Sequence, residues 1–462
     1  MASESQALTV SEIIDGRPMG RFQIWTTALC GLVLILDGFD AQTGGFLVPS
    51  ISESTKIPVH SFGPILSASL VGLMIAAMAT GPIADRWGRK WPVIISALSF
   101  AVFSILTAHA TTFRGFLVYR FLTGLGLGGA MPNVVALASE YVPKRRLAAV
   151  ITLLFTGMPL GGTICGFVSA AMIATWGWRW VFYIGGIVPL VISLLLIAML
   201  PESVQFLVAR GKDPQKVRRL LARMAPEFGS EHTVLRSVPP DPRSKGVPVT
   251  HLFTEGRAAG TILLWIPNFM NLLIIYFITG WLPALLKQSG MTGSEGVTAS
   301  TFVNLGGIAA CMVEGSLMSS FGSYALLVVE FGLSTILIAG LAFASHSLPL
   351  VLAITLTLGF VVIGAQSGLN ALAAKFYPTV IRSTGVGWAL GIGRIGSIVG
   401  PLLGGMLLTI GWHPQGILMT GAVSAGCAWL AILLSKLVRR NPTAYAAETE
   451  SSQFEPREQI HA

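Results

Sequence analysis

Charged side chains are scarce in this chain of 462 residues. Asp, Glu, Lys and Arg make up 11% of it, against roughly 25% in soluble domains, while 53% of the residues are hydrophobic and the mean hydropathy is +0.72. The four cysteines lie singly in apolar runs, so we expect small core residues and not a disulfide framework. No nucleophile–base set, metal-ligand cluster or phosphate loop is recognisable. We therefore predict neither an enzyme nor a cofactor or metal site.

Long apolar runs recur along nearly the whole chain. Each has about 20 residues, enough to span a bilayer as a helix. The first run follows a polar N terminus and lacks a small-residue cleavage site, so we expect it to be retained as a span. The pattern predicts an all-α membrane protein of twelve transmembrane helices. The predicted spans are 22–50, 61–83, 92–110, 115–140, 148–174, 179–200, 258–287, 298–320, 324–345, 348–374, 383–410 and 415–436.

Basic residues are distributed unequally between the two sides of these spans. The side that carries both termini has 24 Lys and Arg, and the other side has only Lys56, Arg114, Arg179 and Lys287. By the positive-inside rule, both termini and the central loop are cytoplasmic. This one-sided placement of basic residues accounts for the net charge of +9, so no nucleic-acid partner is predicted.

The chain repeats itself at an offset of 234 or 235 residues. G-P-I-A-D-R-W-G-R-K at 81–90 matches G-S-L-M-S-S-F-G-S-Y at 315–324, and A-L-A-S-E-Y-V-P at 136–143 matches A-L-A-A-K-F-Y-P at 371–378. Two six-helix pseudo-repeats of this kind are typical of alternating-access transporters, which bind substrate near the midplane. We predict an N-terminal segment at 1–21, a first half at 22–200, a linker at 201–257, a second half at 258–437 and a disordered tail at 438–462. In the linker, 213–224 is either a short basic amphipathic helix or part of a solvated connection.

Two acids lie inside the first span. Asp37 and Asp40 are the only charges between Phe22 and Ile51, and a carboxylate at a bilayer centre costs about 2.5–3.5 kcal/mol or more. Three residues apart, they share one helix face. Burial and mutual repulsion would let at least one of them bind a proton. The alternative is an ionised pair that a membrane arginine neutralises for packing.

Two arginines, Arg120 and Arg394, also lie within spans. A guanidinium stays charged and can hold a carboxylate through two parallel hydrogen bonds. We expect one arginine to hold an anionic substrate, with Arg394 favoured because Gly387 and Gly391 on its face leave room. The other arginine would pair with an aspartate. A buried structural ion pair is the alternative for either one.

Two motifs carry a family resemblance. Gly81–Lys90 resembles the loop between helices two and three of the major facilitator superfamily, and Tyr119–Gly129 resembles its fourth-helix motif. Asp37-Gly38-Phe39-Asp40, with Gly387-Trp388 and Gly391–Gly396, resembles the aromatic acid:proton symporters. This resemblance implies uptake of hydroxybenzoate-like acids with protons across a bacterial inner membrane, driven by the proton gradient. We predict a monomer.

The resemblance also assigns a gating cluster. In this family, the residues matching Asp85, Arg86, Arg89 and Glu140 latch the two halves when the protein faces outward. An ordinary snorkelling basic cluster is the alternative. The second half departs from the pattern, because Ser319 and Ser320 stand where the first half has Asp85 and Arg86.

Polar and aromatic residues of the second half are candidates for the substrate site. Their alternative roles are interhelical hydrogen bonding and packing. The candidates are Asn268, Asn271, Gln366 and Asn370 for ring hydroxyls, and Tyr276, Trp281 and Trp388 for ring stacking. Glu314 and Glu330 stay open between a substitute for the missing loop charges, an extra proton path and simple contact with the interface. Other cargoes (nicotinate, a dicarboxylate, a sugar acid), efflux and a chemoreceptor are the alternative functions.

Overall fold

The computed structural model describes residues 9–211, 213–225, 249–254, 256–344, 347–378 and 381–439. Twelve helical segments within these ranges are long and apolar enough to cross a membrane. The even number places residue 9 and residue 439 on one side, named here the terminal side; the other is the opposite side. Most of the predicted tail, from residue 440 onward, lies outside the described residues, as does 226–248 of the predicted linker.

The described ranges contain helices joined by short turns. The fourth span is divided in two, and three short α-helices lie outside the spans. In chain order the helices are α1 (Val10–Asp15), α2 (Arg21–Thr55), α3 (Phe62–Trp87), α4 (Lys90–Ala108), α5 (Phe113–Leu127), α6 (Ala130–Tyr141), α7 (Lys144–Ile173), α8 (Trp178–Met199), α9 (Val204–Ala209), α10 (Pro214–Met224), α11 (Ala258–Gln288), α12 (Gly293–Phe321), α13 (Ser323–Phe343), α14 (Leu348–Phe376), α15 (Arg382–Thr409) and α16 (Pro414–Arg439).

The two halves repeat each other in packing as well as in sequence. Gly124 lies against the Ser69 backbone in the first half, and Gly359 lies against the Val303 backbone in the second. A Cβ at either glycine would overlap that backbone, so these helices approach too closely for any other residue. The offsets between the matched positions are those of the sequence repeat. The predicted pair of six-helix pseudo-repeats is confirmed.

A layer of short helices covers the terminal side of the first half. Asp213 caps the N terminus of α10, and this helix buries Leu221 against the same apolar cluster as Ile13 of α1 and Leu207 of α9. The amphipathic helix predicted at 213–224 is thus present and packs against its own half. Beside it, the Lys144 backbone N–H donates to Asp15 at 2.8 Å and holds the pKa of this carboxyl below its usual value.

Three of the cysteines, Cys30, Cys165 and Cys311, are buried as predicted, but Cys427 is exposed. The prediction for Cys427 is wrong because its side of α16 faces away from the bundle. A thiol behaves as a small apolar group and is tolerated on such a surface.

The halves touch on the opposite side and separate on the terminal side. Near the opposite side, a Cβ at Gly63 of α3 would lie 3.2 Å from Gly405 of α15, and Ser67 donates to the Ile398 carbonyl at 2.8 Å. Further along the same two helices, Gly81 and Gly391 have no neighbour within 4 Å of the Cβ position. The space between the halves therefore opens toward the terminal side.

Candidate functional site

A small cavity lies between the halves, at the level where they meet. Its volume is about 30 Å³, enough for a few water molecules at most, so a ring-sized ligand requires the helices around it to move apart. Both halves line it. The polar lining residues are Asp37, Asp40, Ser69 and Arg120 from the first half and Tyr276 and Thr279 from the second.

Asp40 and Arg120 form a buried ion pair within the first half. Arg120 Nη1 donates to Asp40 Oδ1 at 2.7 Å, and the two side chains are only 4% and 2% exposed. Arg120 Nη2 also approaches the Asp40 backbone carbonyl at 3.4 Å. The pair neutralises both charges, so the Arg120 guanidinium is already bound to a carboxylate of its own protein.

Asp37 has different surroundings from Asp40, although it lies one turn away on α2. It is 2% exposed, and its Oδ1 has no hydrogen-bond partner among the described residues. The charged groups that act on it are Arg394 and Asp40. Asp37 is thus a buried carboxyl without a described hydrogen-bond donor of its own, whereas the neighbouring Asp40 carboxyl has Arg120 as its donor.

Arg394 is half-buried on α15 and has no carboxylate within 4.0 Å in the described part of the chain. Its Nη2 instead lies 3.9 Å from the Met131 sulfur of the first half. It does not line the small cavity, but it acts on Asp37 across the gap between the halves. A half-buried guanidinium with its donors unused by an acid is suited to bind an anion that enters this gap.

The four predicted amides form a hydrogen-bonded network between α11 and α14. Asn271 donates to Gln366 Oε1 at 3.0 Å, and Gln366 donates to Asn370 at 3.3 Å and toward Asn268 at 3.5 Å. Asn271 Oδ1 lacks a partner. The structure therefore brings these residues together, and one buried acceptor in the network is left unused.

The predicted aromatic residues have three different environments. Tyr276 lines the cavity. Trp281 is fully buried and donates its indole N–H to the Pro401 carbonyl at 3.0 Å, which makes it a packing residue. Trp388 is 45% exposed and stacks on Trp265 at 6.0 Å, away from the cavity lining.

The gating candidates divide into a bonded pair and an exposed pair. Arg89 Nη1 lies 2.8 Å from Glu140 Oε1, and Ser203 donates a short hydrogen bond to the same carboxylate. Asp85 and Arg86 are exposed. The bonded pair joins the start of α4 to α6 inside the first half, and the exposed pair, at the end of α3, faces the open terminal side.

Glu202 is the member of this cluster that sequence reasoning missed. Its Oε1 accepts from the backbone N–H groups of Arg89 at 2.8 Å, Lys90 at 3.1 Å and Ser203 at 2.9 Å, so it caps the start of α4. Gly88, with φ of +95°, leaves space for it, since a Cβ there would meet the carboxylate. The available signal was an acid directly after the sixth span, in a segment otherwise rich in basic residues.

Glu202→Ala should lower the stability of the first half. Three backbone N–H groups lose their acceptor, and leaving even one of them unsatisfied costs about 1–3 kcal/mol. The midpoint of thermal unfolding in detergent measures this. Glu202→Gln is the matched control, because the amide keeps an oxygen at the same position and should lose less. Equal losses for Ala and Gln would show that the caps do not depend on this oxygen.

Removing Arg120 should destabilise the protein more than removing the whole ion pair. Arg120→Ala leaves the Asp40 carboxylate buried and uncompensated, at a cost of about 3–5 kcal/mol. Adding Asp40→Asn removes that charge and should restore part of the stability. A double-mutant cycle on thermal unfolding gives the coupling. Additive effects of the two substitutions would contradict the pairing.

Comparison with known proteins agrees with this architecture. The model of the Major Facilitator Superfamily matches residues 30–397. The chain belongs to this superfamily. Members are membrane transporters, and this member is a transporter and not an enzyme.

Relatives narrow the assignment within the superfamily, and a solved structure shows the same fold. The chain is 37% identical to the 4-hydroxybenzoate transporter PcaK of Pseudomonas putida, over 94% of this chain and 97% of that one. It is also 37% identical to the gallate transporter of Pseudomonas putida, with the same coverage. Among superfamily structures, the xylose transporter XylE from E. coli in a partially occluded inward open conformation shares the fold, with a TM-score of 0.69, 17% identity and coverage of 90% and 97%. The predicted resemblance to aromatic acid transporters is confirmed at the level of these relatives.

Proposed function

We propose that this protein imports a small aromatic carboxylate, similar to hydroxybenzoate, together with protons. The observation that carries the proposal is the unequal pairing of the two membrane arginines. Arg120 has a carboxylate of its own protein at 2.7 Å, whereas Arg394 has none within reach in the described chain. An organic anion that enters between the halves would supply the carboxylate that Arg394 lacks. The functions of the relatives, named for 4-hydroxybenzoate and gallate, support an aromatic anion.

The proton would bind at Asp37. This carboxyl is buried, lacks a described donor for Oδ1 and interacts with the positive charge of Arg394. As long as Asp37 is ionised, it attracts the Arg394 guanidinium. Once it is protonated, Arg394 is free to hold the substrate carboxylate, so proton and anion bind together. Asp40 would hold Arg120 in place and take part in proton binding only as the neighbouring charge.

The ring would lie against the second half. The amide network offers the unused acceptor Asn271 Oδ1 to a ring hydroxyl, and Gln366 and Asn370 extend the same row. Tyr276 would contact the ring from the cavity wall. Trp388 would have to turn from its stack on Trp265 to take part, and we propose it as a minor contact.

Alternating access would proceed by rocking of the two halves. The distribution of basic residues supports cytoplasmic termini. The side that is open in this structure would then be the side of release, in a bacterial inner membrane. In the outward-facing state, Asp85 and Arg86 would meet the second half and, with Arg89 and Glu140, latch it. The energy would come from the proton gradient, with no cofactor.

Uptake into proteoliposomes tests the proposal. Labelled 4-hydroxybenzoate, gallate, unsubstituted benzoate and nicotinate would be offered with and without an inward proton gradient. We expect accumulation of at least one hydroxybenzoate above equilibrium only with the gradient. Binding without accumulation inside the vesicles would indicate a receptor. Accumulation that ignores the gradient would contradict proton coupling.

A further inference from the structure

Two glutamates are buried in the second half, and no described residue donates a hydrogen bond to either. Glu314 of α12 is 3% exposed and Glu330 of α13 is 2% exposed. None of their four carboxylate oxygens has a partner among the described residues. Ionised carboxylates in such surroundings lose their hydration and gain nothing in return.

The two carboxyl groups meet at one point on α14. The Cβ position of Gly364 lies 3.0 Å from an oxygen of Glu314 and 3.0 Å from an oxygen of Glu330, so these oxygens are within about 6 Å of each other. The other Glu314 oxygen lies 3.0 Å from the Cβ position of Gly368. The two glycines thus form a notch in α14 that receives both acids.

No basic group in the described part of the chain forms an ion pair with either acid. Helices α12 and α13 contain no Lys or Arg. The single basic residue of α14, Lys375, contacts Ser323 at 3.3 Å instead. The charged group that acts on each carboxyl is the other carboxyl of the pair, and Glu314 also acts on the neighbouring Cys311 thiol of α12.

The first half shows what this place looks like without acids. The positions that correspond to Glu314 and Glu330 by the offset of 234 are Thr80 and Ser96. These two side chains lie 2.6 Å and 2.9 Å from the Cβ position of Gly129, the counterpart of Gly364. The fold therefore closes around a neutral Thr–Ser pair equally well, and packing does not require the acids.

We propose that Glu314 and Glu330 bind one proton between them, at a site of the second half separate from Asp37. The O–H of one carboxyl then donates to the carboxylate of the other, which satisfies the pair and leaves a single charge. Two ionised carboxylates at this separation would repel each other in a water-poor interior. The site extends the proposed function and does not rest on it, because proton binding can be measured without transport.

The position of the site couples it to the amide network. Gly364 and Gly368 are on one face of α14, and Gln366, two residues from each, is on the other face, where it bonds to α11. Loss of the shared proton would put two like charges against the notch and push α12 and α13 away from α14. The proton thus holds α14 in the register that the amide network needs.

Infrared spectroscopy of the purified protein, in detergent without substrate, tests the site. A protonated carboxyl has a C=O stretching band that shifts in D₂O, and an ionised one does not show it. At neutral pH, we expect the double variant Glu314→Thr/Glu330→Ser, which copies the first half, to lose the absorption of one carboxylic acid per molecule. Asp37→Asn should leave this component in place, which separates the two sites.

Two further variants keep the test decisive. Glu295→Gln, at the other end of α12, should leave the carboxylic-acid band unchanged, because the Glu295 carboxylate has the Thr292 N–H as a donor at 2.7 Å and needs no proton. If the double variant does not fold, Glu314→Gln serves, since the amide donates to Glu330 and the proton is no longer needed. An unchanged carboxylic-acid band in a folded variant overturns the proposal. A band that appears only after sodium and potassium are removed also overturns it, in favour of a bound cation.

Discussion

Arg394→Gln is expected to abolish measurable uptake of the aromatic acid. Truncating one partner of a buried, hydrogen-bonded charge pair costs about 2–5 kcal/mol, which is about 30-fold to 4,000-fold in affinity. Glutamine keeps the length and polarity of the side chain and removes the charge and the fork. Substrate binding by calorimetry and initial uptake in proteoliposomes measure the loss.

Two controls separate the binding of the anion from stability. Arg394→Lys keeps the charge but cannot bind bidentately, so we expect an intermediate loss. Arg114→Gln removes an exposed guanidinium on the opposite side and should leave binding unchanged. Thermal unfolding should be nearly the same for all three, because Arg394 has no ion pair to lose among the residues that the structure describes. Normal affinity in a folded Arg394→Gln protein would exclude this residue as the anchor.

Asp37→Asn is expected to uncouple transport from the proton gradient without preventing exchange. Asparagine imitates a permanently protonated carboxyl, so Arg394 stays free and the substrate still binds. The variant cannot release a proton, and net accumulation against a concentration gradient should fall to the background level. Counterflow, in which labelled substrate enters in exchange for unlabelled substrate, should continue at a substantial fraction of the wild-type rate.

Asp40→Asn distinguishes coupling from charge balance. It leaves Arg120 buried without its partner, so we expect loss of stability and of both activities together, because an uncompensated buried charge is costly. The pattern that supports the assignment is therefore exchange without accumulation for Asp37→Asn alone. Gradient-driven accumulation by Asp37→Asn would show that the coupling proton binds elsewhere.

The architecture could be predicted from the sequence because it depends on features that are local or periodic. Apolar runs, the offset of 234 and the loop at Gly81–Lys90 each lie within a few tens of residues or repeat at a fixed distance. The division of the fourth span was not predicted. In the structure, α5 ends at Leu127 and α6 begins at Ala130. Gly128 and Gly129 lie between them against α3, and only the neighbouring helix reveals why the helix is interrupted there.

The pairing of charges could not be predicted in the same way. The sequence favours Arg394 for the substrate and leaves Arg120 to pair with either Asp37 or Asp40. The choice of Asp40 depends on a contact between α2 and α5, 80 residues apart. The capping role of Glu202 likewise depends on a contact across 113 residues. The notch around Glu314 and Glu330 combines three helices. In each case the sequence supplies the chemical groups, while tertiary packing decides which of them meet.

The contact between Gly63 and Gly405 closes the opposite side of this structure, so an inhibitor can enter only from the terminal side. A competitive blocker too large to be carried would reach the gap only from the side that is open, and the same compound added to the sealed side would have no path to it. Its potency from each side would then report how often the protein visits each state. The ratio of the two potencies thus measures the relative populations of the two states in the resting protein, without any label on the protein.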